Sequence, residues 1–333
     1  MAKLIKYKIS NRSGLKILPR DIRVLKKDSY TINNDSVGGD APKNVINVYE
    51  YGKVKKSKPA KWIKYIAKIG HKWYPNESIT EQLLTDLGGC FSISIASSKL
   101  VYAENYIRFL SEHFHSNEQI LEHGADILTS YMNEENTTWI DVLDKEKKLK
   151  SGVTIKDVIT ALKFYYKNDD HAILNSFFHM LLFDAFTGNN DRHYYNWGVI
   201  SHIKNKHKPY FSPVYDSARG LFWNKSDKNI ISLHKELKNV NNKQLDNYVL
   251  SSVPKISIPN NAHCNHFDLI KYLKNNNYLS DEHIKIWTDK ENLTKCVNLL
   301  GTKFDKLFIN ERKEILKIVL QKRFSNLEQI LKN

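Results

Sequence analysis

The stretch TGNNDRHYYNWGVI, residues 187–200, decides how the rest of this sequence is interpreted. It follows the apolar run FFHMLLFDAF, which contains His and Asp, is too short to span a membrane and therefore predicts a buried helix. Gly188 and Asn189 are predicted to end that helix. The residues that follow, among them Asp191 and Asn196, form either a polar turn that merely caps the helix or a loop that takes part in catalysis.

The spacing of the polar residues favours phosphoryl transfer. This reaction needs a carboxylate that orients and deprotonates the attacking hydroxyl, and a metal held by an amide oxygen and a second carboxylate. Asp191 stands five residues before Asn196, which is the D-x-x-x-x-N spacing of a kinase catalytic loop. Asp216, in SPVYDSARG, follows a short extended stretch, where a kinase presents its metal-binding aspartate. The order Asp, Asn, Asp therefore agrees with a kinase.

The segments NNDRHYYNWGVI and PVYDSARG together resemble the catalytic core of HipA-like serine/threonine kinases. These are toxin kinases of bacterial toxin and antitoxin pairs, distantly related to protein and phosphatidylinositol kinases. The resemblance implies an α+β, two-lobed, protein-kinase-like fold that uses ATP and magnesium. It implies that Asp191 is the catalytic base and that Arg192 and His193 support the loop. It also implies that Asn196 and Asp216 are the magnesium ligands.

A predicted phosphate loop lies upstream, in NNDSVGGDAPKNVINV. Glycines let backbone N–H groups approach phosphate oxygens, and a lysine adds positive charge. The residues concerned are Ser36, Val37, Gly38, Gly39 and Lys43. Taken alone, the pattern is better explained as a plain turn. It resembles the S-[VI]-x-G-x-x-x-K loop of the family, which implies that autophosphorylation of Ser36 displaces the loop and silences the kinase.

A lysine and a glutamate complete the predicted nucleotide site. Lys68 is predicted in a strand and Glu81, thirteen residues later, in the next helix, as the pair that holds the nucleotide phosphates in kinases. Lys64 shares the strand face of Lys68 and remains the alternative, although IAKIG resembles the strand ending of the family. Glu81 also stands at capping-box spacing from Ser78, with Asn76 as the other predicted helix cap.

The periodicity of the chain changes near residue 115. Residues 1–114 carry short alternating apolar stretches and predict a strand-rich N-terminal lobe, with the adenine-binding hinge around Glu104 to Tyr106. Residues 115–333 are predicted to be mostly helical, including NEQILEHGADILTSYM. Because no Gly/Ser or Pro linker separates the two parts, we expect one cooperative unit with ATP in the cleft. The final hundred residues carry no motif and are predicted to be helical scaffold.

The charge of the chain permits polyanionic partners. Its 51 Lys and Arg residues against 36 Asp and Glu give a net charge of +15, which attracts nucleic acid, anionic membrane or nucleotide phosphates. A composition biased toward lysine explains part of this net charge equally well. Eight lysines between Lys53 and Lys72, with interleaved aromatic residues, are typical of a nucleic-acid surface and equally of a solvated hairpin. Direct nucleic-acid contact is therefore not favoured.

Cysteine usage and the N-terminus predict a cytoplasmic protein. Cys90, Cys264 and Cys296 lie far apart, with neither the density of a disulfide framework nor the spacing of a zinc site. Charges interrupt every apolar run near the N-terminus, so a signal peptide is not expected. No run approaches the ~18 apolar residues that a membrane-spanning helix needs.

We therefore expect an ATP- and magnesium-dependent kinase for serine or threonine. The resemblance implies an aminoacyl-tRNA synthetase as a target class and a small helix-turn-helix antitoxin as a partner, whose docking is open because the chain resembles short family members. The alternatives are a lipid or small-molecule kinase, a nucleotide-binding pseudokinase and a nucleic-acid binder without catalysis. A metal hydrolase using Asp191, His193 and Asp216 is disfavoured, because His193 lacks a second histidine at ligand spacing.

Overall fold

A five-stranded antiparallel sheet forms the N-terminal part of the protein. The computed structural model describes residue 4 and residues 9–33, 42–239 and 243–333. The sheet consists of β1 (Tyr30–Asn33), β2 (Lys43–Val48), β3 (Ile63–Lys68), β4 (Ser98–Ala103) and β5 (Tyr106–Glu112). The strands pair in the order β1-β2-β3-β5-β4. Tyr65 and Ala67 of β3 are buried in a small apolar cluster, so the alternate residues Lys64 and Lys68 lie on the opposite face.

The first helix, α1 (Asn76–Cys90), packs against β4 and β5. Its predicted caps are wrong, because no side chain caps the helix, which follows Pro75. Ser78 lies inside the helix, where its hydroxyl accepts a hydrogen bond from the Gly70 N–H at 3.0 Å. The side chain of Glu81 is therefore not used in a capping box and points to β3 instead.

A second, three-stranded sheet follows, in the order β6 (Gln119–His123), β7 (Gly198–His202) and β8 (Tyr210–Phe211). The chain passes from one sheet to the other across residues 113–118, so the predicted lobe boundary at 114, which remains a prediction, falls in this connection. The prediction of a helix across NEQILEHGADILTSYM is wrong for its first half. Residues 119–123 pair with β7, and the helix α2 begins only at Gly124.

The rest of the described chain is mainly helical, as predicted, and its large apolar core surrounds α6. The helices are α2 (Gly124–Tyr131), α3 (Thr138–Lys145), α4 (Leu149–Gly152), α5 (Ile155–Tyr165), α6 (Asp170–Thr187), α7 (Asp227–Asn239), α8 (Lys243–Ser251), α9 (His266–Asn275), α10 (Asp281–Trp287), α11 (Lys290–Gly301) and α12 (Asn310–Lys332). Trp197 is buried against Phe177 and Phe211 of this core, which confirms that it is a packing residue. Among the helices in the described ranges, none is long and apolar enough to cross a lipid bilayer.

Candidate active site

A buried acid at the end of α6 organises the loop that follows this helix. α6 ends at Thr187, and Gly188 adopts a left-handed conformation with a φ of 66°, as expected of a helix stop. Asp184, 1% exposed, accepts a hydrogen bond from Asn189 Nδ2 at 2.9 Å. Asn189 Oδ1 in turn accepts from the Asp191 N–H at 3.3 Å. The path of the backbone toward Asp191 is therefore fixed from inside the core.

Arg192 joins this loop to the segment after β8. Its guanidinium forms two bonds with the Asp184 carboxylate, Nε to Oδ2 and Nη2 to Oδ1, both at 2.9 Å. It also donates to the carbonyl oxygens of Asn196 at 3.0 Å and Tyr215 at 2.6 Å, and to Ser217 Oγ at 2.7 Å. Buried charges are stable only when they are paired and hydrogen bonded, as this guanidinium is. Arg192 therefore fixes the two loops relative to each other.

The structure brings Lys68, Glu81 and Asp216 into direct contact. Lys68 Nζ lies 2.8 Å from Glu81 Oε1 and 2.8 Å from Asp216 Oδ1. β3 supplies the lysine, α1 the glutamate, and the segment after β8 the aspartate. Lys64, four residues earlier in β3, stands opposite Asn47 of β2. The three-residue group therefore joins the five-stranded sheet, α1 and the helical part of the protein at one point.

The charges of this group are set by burial and by mutual attraction. Burial acts to raise the pKa of Asp216, but Lys68 outweighs it and lowers this pKa to about 2. Burial raises the pKa of Glu81 to about 7, because Lys68 offsets it only in part and Asp216 adds repulsion. Burial alone would lower the pKa of Lys68, whereas the two carboxylates raise it above its ordinary value. At neutral pH the site therefore holds a protonated amine beside an ionised Asp216.

Asp191 lies in the same region, paired with an arginine from the Asp216 segment. Arg219 Nε lies 3.0 Å from Asp191 Oδ2, and Arg219 Nη1 lies 3.3 Å from Oδ1. Burial raises the pKa of Asp191, and Arg219 opposes this shift. Asn196 Nδ2 donates to the Asp191 carbonyl oxygen at 2.9 Å. Asp191 and Asn196 are therefore held in one small loop, as their spacing predicts.

His193 supports the same loop. Its Nδ1 accepts a hydrogen bond from the Tyr195 N–H at 3.3 Å, which defines that nitrogen as the unprotonated one. Burial lowers the pKa of the His193 ring.

Within the described ranges, no three His, Cys, Asp or Glu side chains come together as a metal-binding group. The arrangement of a hydrolase with several protein ligands on its metal is therefore not formed by these residues.

The donor atoms of Asn196 and Asp216 fit magnesium. Magnesium prefers oxygen ligands and is usually held by one or two protein side chains together with substrate phosphates and water. The Asn196 amide uses its nitrogen on Asp191, and its Oδ1 accepts no hydrogen bond from the described residues. Asp216 meets Lys68 through Oδ1. An amide oxygen and a carboxylate oxygen thus stand on the two loops that Arg192 joins.

Most of the predicted phosphate loop lies outside the described residues, including Ser36, Val37, Gly38 and Gly39. Lys43 is described, as the first residue of β2. It stands directly opposite Lys68 in the register of β2 and β3, and residues paired in this way share one face of a sheet. Its charge contributes to the lowered pKa of Asp216. Lys43 therefore lies beside Lys68, and its predicted role of adding positive charge at the phosphates stays a prediction.

The predicted hinge residues Glu104 and Tyr106 are not brought to this group. Glu104 and Asn105 form the tight turn between β4 and β5, with φ values of 51° and 69°. Phe109 stands opposite Lys68, so Tyr106 lies about 10 Å farther along β5, at ~3.3 Å per residue. The Glu104 carboxylate accepts a hydrogen bond from the Tyr30 hydroxyl at 3.3 Å. The turn lies at the opposite end of the β4–β5 hairpin from Glu112, after which the chain passes to the second sheet. An adenine-binding role for Glu104 and Tyr106 therefore stays a prediction.

Three residues of the site were not predicted: Asp184, Ser217 and Arg219. An isolated acid in the apolar run of α6 was a usable signal, because a buried carboxylate requires a partner. Ser217 and Arg219 follow Asp216 directly, but their contacts with Arg192 and Asp191 span 25 and 28 residues. Nothing in the local pattern of DSARG distinguishes these contacts from those of an exposed turn.

Comparison with known proteins gives a family and a fold. The family described as the HipA-like C-terminal domain matches residues 35–271, a range that includes every residue of the site. No curated protein matched the chain. The crystal structure of the Helicobacter pylori proinflammatory kinase CtkA is similar over 90% of this chain and 94% of that chain, with 16% sequence identity and a TM-score of 0.67.

HipA of Shewanella oneidensis MR-1, in a complex with HipB and its operator DNA, is also similar. The match covers 88% of this chain and 64% of that chain, with 13% identity and a TM-score of 0.49. The similarity to CtkA confirms the predicted two-lobed kinase-like fold.

Proposed function

Because the chain belongs to the family of HipA-like C-terminal domains, we propose that it is an ATP- and magnesium-dependent kinase that phosphorylates serine or threonine residues of a protein. The observation that carries this proposal is the contact of Lys68 with both Glu81 and Asp216 at 2.8 Å. A lysine held by a helix glutamate beside a metal-binding aspartate is the arrangement by which kinases bind nucleotide phosphates. Asp191 and Asn196 lie on the loop that Arg192 joins to this aspartate.

The proposed mechanism depends on positioning and charge. Lys68 and Lys43 bind the phosphates, together with the phosphate loop that the sequence predicts at residues 36–39. Asn196 and Asp216 would hold magnesium, which would supply charge neutralisation at the phosphates. Asp191 orients the acceptor hydroxyl and accepts its proton. Arg192 acts indirectly, because it holds the loop of Asp191 and Asn196 in a fixed position relative to the Asp216 segment.

The acceptor and the regulation of the kinase are further parts of the proposal. We propose a translation enzyme, such as an aminoacyl-tRNA synthetase, as the acceptor class, and a small helix-turn-helix antitoxin as a partner. We also propose that the kinase phosphorylates Ser36 in its own phosphate loop. Mass spectrometry after incubation with magnesium and ATP tests this last point, with Ser36→Ala and the inactive Asp191→Asn as controls.

Incubation of the protein with labelled ATP, magnesium and cell extract tests the proposed function. We expect label in protein, lost in Asp191→Asn and Asp216→Ala, and ATP binding that is retained by Asp191→Asn and weakened by Asp216→Ala. Label in a lipid or small molecule would instead assign a different acceptor class to the same site. If label enters no molecule although ATP binds, the protein is a nucleotide-binding module and the proposed function is wrong.

A further inference from the structure

A buried carboxylate ties the start of α1 to the helical part of the protein. Asp227, the first residue of α7, is 1% exposed. Its Oδ1 accepts hydrogen bonds from Asn76 Nδ2 at 3.1 Å and from Arg312 Nε at 2.8 Å. Its Oδ2 accepts from the Gly14 N–H at 2.7 Å and from Ser13 Oγ at 3.1 Å. One side chain therefore connects α1, α7, α12 and the N-terminal segment.

The C-terminal end of α1 is also held by residues from the last third of the chain. Asp86 lies 2.6 Å from Lys303 Nζ, which follows α11. Phe91, immediately after α1, stacks on Trp287 of α10 with ring centroids 4.1 Å apart and an angle of 12°. Both rings are buried, and α1 packs along α11 between these points. The final third of the chain thus contacts the beginning, the length and the end of α1.

Glu81 lies midway between these anchors. It is five residues after Asn76 and five before Asp86, and an α-helix transmits a constraint over that length because its backbone is fully hydrogen bonded. Asn76 and Arg312 are both fully buried, so removal of either one leaves the buried Asp227 carboxylate with one hydrogen-bond donor fewer. The position of Glu81 therefore depends on residues that do not touch it.

We propose that Asn76, Asp227 and Arg312 are positioning residues of the kinase site, which keep α1 against the helical part so that Glu81 stays on Lys68 without an activating partner. The inference rests on the proposed function for what Lys68 binds. It assigns a task to Asp227 and Arg312, which belong to no motif identified in the sequence. Kinases in which the corresponding helix moves form the lysine–glutamate pair only in an active state.

Asn76→Ala tests the proposal because it removes the donor that belongs to α1 and leaves the other donors on Asp227. Ser13→Ala is the matched control, since it removes a donor from the same carboxylate that does not belong to α1. We expect Asn76→Ala to accelerate amide hydrogen exchange in residues 76–90 roughly fivefold to tenfold, because it loses the buried bond to Asp227 and the longer bond, at 3.4 Å, to the Arg12 carbonyl oxygen. We expect a similar rise in the KM for ATP, with a smaller change in kcat. Ser13→Ala should leave the exchange rate in residues 76–90 and the KM for ATP close to those of the wild type.

Hydrogen exchange and enzyme kinetics test two different things: the hold on α1 and the proposed kinase function. Hydrogen exchange does not require catalysis, so it tests the hold on α1 even if the wild type transfers no phosphate. Unchanged exchange in Asn76→Ala, or an equal effect of Ser13→Ala, would overturn the proposal. If Asn76→Ala does not fold, the smaller change Asn76→Ser is measured against the same control and judged by the same two outcomes.

Discussion

Arg192 is the residue on which the geometry of the site depends most. Lysine can keep its charge but not the two parallel bonds to Asp184 or the bonds to two carbonyl oxygens. We expect Arg192→Lys to lower the free energy of unfolding by about 3 kcal/mol, because it breaks a fully buried pair. Ser217→Ala, which removes one neutral partner of Arg192, should cost about 1 kcal/mol. Urea denaturation of both variants checks this; equal losses would show that the guanidinium geometry is unimportant.

Lys68 and Lys64 give a matched pair of variants for the proposed nucleotide site, because they lie on the same face of β3. Lys68→Met removes the amine that contacts both carboxylates, so we expect phosphoryl transfer to fall on the order of a hundredfold. Lys64→Met should leave the rate within about twofold. Steady-state kinetics with ATP as the varied substrate measures both. The assignment to Lys68 would fail if Lys64→Met had the larger effect.

The sequence predicts these residues unequally. The order and spacing of Lys68, Glu81, Asp191 and Asn196 are local properties that a reader of the chain can find. The contact of Lys68 with Asp216 spans 148 residues, and that of Asn76 with Asp227 spans 151. The first follows from knowing the order of kinase motifs. The second has no such guide, because a buried Asn at the start of a helix looks the same as a capping residue.

At the scale of elements, the end of α6 sets the direction of the loop that carries Asp191 and Asn196. Gly188 has a φ of 66°, and a Cβ there would lie 2.5 Å from Arg323 Nη2. We expect Gly188→Ala to destabilise the protein by about 1 kcal/mol from the backbone alone and by more from the clash. Gly89→Ala is the control: it lies within α1, where a Cβ meets nothing within 4 Å, and alanine favours a helix by up to about 1 kcal/mol. Thermal unfolding should shift in opposite directions for the two variants, and a stabilised Gly188→Ala would contradict the role of this turn.

β6 shows that the periodicity of apolar residues is not always sufficient to predict a helix or a strand. The apolar spacing in NEQILEHGADIL suits a helix, yet Gln119 to His123 form a strand that pairs with β7. The paired residues of the partner strand, at 198–202, lie 75 to 83 positions farther along the chain, and this pairing outweighs a weak local preference. α2 begins at Gly124, whose missing Cβ leaves room for the Trp197 ring. The apolar run of α6 gives a stronger local signal, and the helix predicted there is present.

At the scale of the whole molecule, the C-terminal helices act as the frame of the site. Besides the contacts with α1, His266 of α9 donates from Nε2 to the Asn189 carbonyl oxygen at 2.8 Å. Arg323 of α12 donates to the Ala185 carbonyl oxygen at 2.7 Å. Both side chains are fully buried. The last third of the chain therefore supports both α1 and the loop that carries Asp191, a role that helical periodicity alone cannot indicate.

His266 makes the stability of this frame depend on pH. Burial lowers the pKa of His266 from 6.5 to about 3, so the folded protein excludes a proton that the unfolded chain binds. The stability contributed by the neutral ring is complete above pH 6.5 and is lost as the pH falls toward 3. At pH 5 the loss is about 2 kcal/mol, since each pH unit is worth about 1.4 kcal/mol. His179 and His283, whose pKa values burial also lowers, act in the same direction.

His266→Gln isolates this contribution. Glutamine can donate to the Asn189 carbonyl oxygen but does not titrate, whereas the carboxylates and the other histidines titrate equally in both proteins. Urea denaturation at pH 7 and pH 5 gives the change in the free energy of unfolding for each protein. We expect this change to be about 2 kcal/mol smaller in His266→Gln than in the wild type, because only the wild type must keep this ring unprotonated. Equal changes in the two proteins would mean that His266 is protonated in the folded state, and its bond to Asn189 would then not depend on a neutral ring.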